Sequence, residues 1–146
     1  MSAPAYAWEF NSDLFGNRTP KIITLEAAAS LETKPGTLLA MSSGQVIAAT
    51  DGSGKDIIGL AVGATAAALS AGDPVQLQVL FPGAVIKGKA VSTAAALAGF
   101  TSKVVDLDAD GRLDPTDTTG GGLSVWRTED SGLTVYAIVT TGAIIG

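Results

Sequence analysis

Residues 37–51 read TLLAMSSGQVIAATD, and this stretch decides the fold. Thr37–Met41 is mostly apolar, a Ser42-Ser43-Gly44 turn follows, and Gln45–Ala49 is again apolar and small. Two such runs joined by a short glycine turn make a β-hairpin. The pattern returns at 103–117, KVVDLDADGRLDPTD, with an apolar start, a polar turn on Gly111 and a terminal Asp. Each copy leads, after a gap, to an apolar run: IIGLAV at 57–62 and LTVYAIVT at 133–140. An internal echo of this kind points to a small β-rich structural module rather than an enzyme.

Working outward, the strand signals are short, numerous and separated by Gly and Pro. Residues 57–62 read as a buried strand, because Ile57, Ile58, Leu60 and Val62 cover both faces. Gly72-Asp73-Pro74 opens VQLQVLF, where Val75, Leu77, Val79 and Phe81 alternate with Gln76, Gln78 and Leu80. Pro82-Gly83 turns the chain into Ala84–Ile86. Residues 123–127 alternate as a strand after Gly120–Gly122, and Ser131-Gly132 turns into LTVYAIVT, with the apolar GAIIG behind it. Residues 22–33 are open between a short helix capped by Thr24 and a strand running into a loop. Ala64–Leu69 is open between helical and extended. Ser92 caps a short helix over Thr93–Ala98, ended by Gly99. The expected fold is mostly β: a small sandwich or barrel of short strands with one or two short helices.

Residues 1–21 stand apart. They hold Tyr6, Trp8, Phe10 and Phe15 in a chain that is only 5% aromatic. Tyr6, Trp8 and Phe10 alternate as in a strand, and Asn, Gly and Pro then break regular structure. The two readings are a first strand on its own domain and an extended N-terminal arm that reaches a partner. The arm, with these four aromatics as partner-binding anchors, is the functional expectation. The division is then an arm at 1–21 and a single β-rich domain at 22–146.

Composition narrows the function. The 146 residues suit one domain, and hydrophobic residues make up 47%. Charged residues reach only 16%, against a usual ~25%. Either Gly, Ser and Thr cover the surface or a partner hides part of it; an oligomer or a docked protein is expected. There is no Cys and no His, which removes disulfides, thiolate metal sites and the commonest general base. The net charge is −5 with scattered basic residues, so no nucleic-acid footprint is expected. MSAPAYAWEF has neither the basic start nor the apolar block of a signal peptide, and no apolar run reaches the ~20 residues of a membrane helix. Synthesis in a reducing cytoplasm is expected, where the Asn17-Arg18-Thr19 sequon carries no meaning.

Asp106, Asp108, Asp110, Gly111 and Asp117 match D-x-D-x-D-G with a twelfth-position carboxylate, and Asp114 stands at position 9. Carboxylates spaced by two can converge on one hard cation, as in a dockerin loop. Against calcium, Asp117 is shorter than a bidentate Glu. Pro115 and Thr118–Gly122 forbid an exit helix, and the first copy of the echo has no carboxylates. A plain hairpin is the favoured reading and a weak cation site the second. Asp51–Lys55 lacks the Gly and Ser/Thr of a phosphate loop. Lys87-Gly88-Lys89 reads as a solvated strand end, and Trp126 and Tyr136 as core residues with an interface as the alternative. No nucleophile–base motif stands out.

PGTLLAMSSGQVIAATD, IIGLAVGATAAA and AGDPVQLQVLFPGAV, in this order over residues 35–90, resemble the capsid decoration, or cement, proteins of tailed bacteriophages. A weaker likeness runs through 103–142. The resemblance implies a structural virion protein on the outer surface of an icosahedral head, with the major capsid protein as partner. It implies a homo-oligomer, usually a trimer, that clamps neighbouring capsid subunits, with no cofactor and no reaction. The N-terminal segment of such proteins often pairs with the capsid protein. The alternatives are a calcium-dependent β-rich binding module and another phage surface component, such as a head-fibre base.

Overall fold

Short strands that alternate apolar and polar residues must bury one face, and this chain does so by stacking two sheets. The computed structural model describes residues 3–53, 56–94, 104–119 and 121–140. One sheet is built from β1 (Glu9–Asp13), β7 (Ala84–Lys89), β11 (Thr134–Val139) and β10 (Leu123–Glu129), in that order. The other runs β2 (Ile22–Glu26), β6 (Pro74–Val79), β5 (Ile57–Ala61), β3 (Leu38–Ser42) and β4 (Gln45–Ala48). A two-stranded ribbon, β8 (Asp106–Leu107) with β9 (Leu113–Asp114), completes it, and every named strand pair is antiparallel.

The main core lies between the sheets. Leu38, Ile57 and Leu60 meet Ile86, Val125, Val135 and Val139, and Leu107 and Leu113 of the ribbon close one end. The β2–β4 sheet buries its other face too: Leu39, Ile58, Val75, Leu77 and Val79 pack under Ala27, Leu31 and Leu69. This explains the apolar run of β5, whose residues divide between two cores, Ile57 and Leu60 in one and Ile58 and Ala61 in the other. Val62, expected to share them, is partly exposed just past the strand.

Both copies of the echo are hairpins. The first closes through a two-residue loop, Ser43 (φ 50°) and Gly44 (φ 79°). Two positive φ angles make the twist that strand pairs prefer, which is why Gly stands there. The second closes over residues 108–112 with Gly111 at φ 82°. The equivalence stops there, because β5 pairs with β3 whereas β11 joins the other sheet between β7 and β10.

The open segments resolve as extended chain. Ile22–Glu26 is a strand on β6, not a helix capped by Thr24. Ala64–Leu69 is not helical: Thr65 N donates to Thr33 O at 3.0 Å and Leu69 N to Leu31 O at 2.9 Å. Of the expected helix Thr93–Ala98, Thr93 and Ala94 are not helical and the rest lies outside the described residues. GAIIG also lies outside them. Among the described residues the helical backbone is limited to a short 3-10 turn, Asp130–Gly132, and a 3-10 residue at Asp56 just before β5.

Candidate functional site

The leading segment is extended, and it lies on the domain it was expected to leave: β1 pairs with β7, with Phe10 opposite Ile86. The four aromatics divide. Trp8 is only 3% exposed and belongs to the main core, with its indole Nε1 donating to Gly111 O at 2.7 Å. Phe10 is half-buried and meets Phe81 at 6.1 Å between ring centroids. Tyr6 is 36% exposed, under the Arg112 guanidinium at 4.9 Å. Phe15 is 76% exposed. Trp8 is therefore spent on the chain's own interior, because a strand on β7 turns it inward. Phe15 is the most exposed of the four.

The loop that carries Phe15 is pinned by Asp13. Its carboxylate accepts from Phe15 N and Arg18 N, both at 3.1 Å, and from Arg18 Nε at 2.8 Å. Arg18 also donates to Pro82 O at 3.2 Å and lies 4.1 Å over the Phe81 ring. The Phe15 ring rests on Gly83 (φ 95°), where any Cβ would come within 2.5 Å of it. The Arg18 hydrogen bond, with help from the backbone amides, holds the Asp13 carboxyl down at about 2. A depressed carboxylate contributes stability that is complete above its usual value of 3.8 and is lost as pH falls through about 2. The Phe15 and Arg18 amide resonances should therefore titrate together near 2; a midpoint at 3.8 would contradict the lock. Asp13→Asn should speed tryptic cleavage after Arg18 by about tenfold or more, because the loop opens without global unfolding. An unchanged rate would show that the pin is not holding it.

The calcium-like pattern does not assemble as spelled. Asp108 folds back on its own turn, accepting from Asp110 N and Arg112 N at 2.9 Å each and from Arg112 Nε at 2.8 Å. Asp110 lies 3.6 Å from the same guanidinium. Both are held by Arg112 in a hairpin turn, while Asp106 and Asp117 face elsewhere. These two meet Asp51, the terminal Asp of the first echo, with carboxylate oxygens all within 4.8 Å. Asp106 is buried and accepts from Gly52 N at 2.6 Å, tying the two hairpin exits together. The sequence pattern missed Asp51, which stands 55 residues before Asp106. Loss of water around it, then the Asp117 and Asp106 carboxylates, push Asp51 above the usual carboxylate range. A raised carboxylate costs stability in full above its folded value; the cost shrinks as pH falls below that value and is gone only below the ordinary value of 3.8. Asp51→Asn should raise the melting temperature at pH 7 and have no effect well below 3.8. A lower melting temperature at pH 7 would mean that the charge is used.

The remaining candidates are structural. Lys89 Nζ donates to Thr134 Oγ1 at 2.9 Å, Lys87 lies 5.6 Å from the Tyr136 ring, and Gly88 faces Trp8. Tyr136 is buried, but on the outer face of its sheet with Val85 and Ile138, where half-buried Trp126 joins them. Its hydroxyl donates to Glu129, which holds that carboxyl below its usual range, and Arg127 covers the ring at 4.0 Å. Two concavities went unread in the sequence. A groove of about 600 Å³ runs beside β1, with exposed Ile22 and Val62 on its walls. A pocket of about 510 Å³, lined largely by alanines, begins at Ala3, Pro4 and Ala5, just ahead of the groove in the leading segment. Both are made by strand order, which no local pattern encodes.

No family model and no curated protein sequence matches the chain. Among solved structures it is similar to the N base of head fibre gp8.5 of bacteriophage phi29. The TM-score is 0.51 at 21% identity, over 82% of this chain and 94% of that one. At such identity the likeness is one of fold.

Proposed function

We propose that the chain is a structural protein of a phage virion that binds the outer surface of an icosahedral head and stabilises contacts between major capsid subunits. The observation that carries this reading is the two-sheet sandwich shared with a phage head-fibre base. The resemblance of residues 35–90 to capsid decoration proteins points the same way. In this reading the protein performs no reaction, is made in the host cytoplasm, and sits on the head as a homo-oligomer, a trimer. Stabilisation follows from mass action: a protein that binds only the assembled shell lowers its free energy by about 2.7 kcal/mol per site at a hundredfold excess over Kd. The pinned Phe15 loop and the Ile22–Val62 groove offer apolar contact with few charges, as interface centres require.

The fold likeness also favours a second reading, the base of a head fibre. One experiment separates the two. Purified chain is added to heads that lack it, and bound protein is measured by co-sedimentation beside the temperature of DNA release. A decoration protein saturates many equivalent sites and raises the release temperature. A fibre base fills few sites and leaves that temperature unchanged. No binding at all would end both readings.

A further inference from the structure

We draw no further inference here: the strongest candidate, the Asp51–Asp106–Asp117 carboxylate cluster where the two hairpin exits meet, is an acidic cluster with no second observation among the described residues that points to a ligand.

Discussion

Trp8→Ala should lower the unfolding free energy by about 3–5 kcal/mol, the range for emptying a large aromatic from a packed core. Trp8 is 3% exposed, packs between β1 and the main core, and bonds Gly111 O at 2.7 Å. Truncation thus opens a cavity and strands a buried carbonyl, which adds about 1–3 kcal/mol of its own where water cannot reach. Trp8→Phe should keep most of the packing and lose the hydrogen bond, at a smaller cost. Urea denaturation reads both, and the midpoint should fall while the slope holds. A loss below about 1 kcal/mol would mean that the leading segment is not part of the folded core. That result would restore Trp8 as a residue kept for a partner.

Gly88→Ala is the second large effect, and it arises from the same ring. A Cβ at residue 88 would lie 2.3 Å from Cδ2 of Trp8 and 2.4 Å from Cε3. The indole is held at its far edge by Gly111 and cannot slide away, so overpacking should cost about 1–3 kcal/mol or more. The signature is in the coupling. In a Trp8→Leu background the collision is gone and Gly88→Ala should be near neutral. It could even gain a few tenths, since Gly weakens a strand by about 0.5–1 kcal/mol relative to Ala. Equal costs in both backgrounds would show that the glycine is needed for its backbone and not for the ring.

Trp8 also marks where sequence reasoning stopped. The alternation of Tyr6, Trp8 and Phe10 correctly signalled a strand. Whether that strand lies on its own sheet depends on β7, more than 70 residues away, and on a glycine opposite the indole. The first hairpin was legible because its turn demands positive φ, which the Ser43-Gly44 pair supplies. β5 and β6 were legible from apolar spacing alone. Residues 22–33 stayed open between helix and strand, since EAAAS suits a helix; pairing of Ile22–Glu26 with β6, and of Ala28 N with Val46 O, overrides that preference. The aspartates show the same limit. Their spacing spelled a local ligand loop, yet Arg112 binds two of them and the turn at Asp51 claims the other two. The pocket and the pinned Phe15 loop emerge only once strand order brings Pro82 and Gly83 to Asp13 and Phe15.

The central claim, adhesion to the outside of a phage head, meets its most direct test in electron cryomicroscopy of heads with and without the chain. The account requires added density on the outer surface, bridging the boundary between adjacent capsid subunits and fitted by the two-sheet sandwich. Identical maps, or density confined to the interior or the tail, would contradict it.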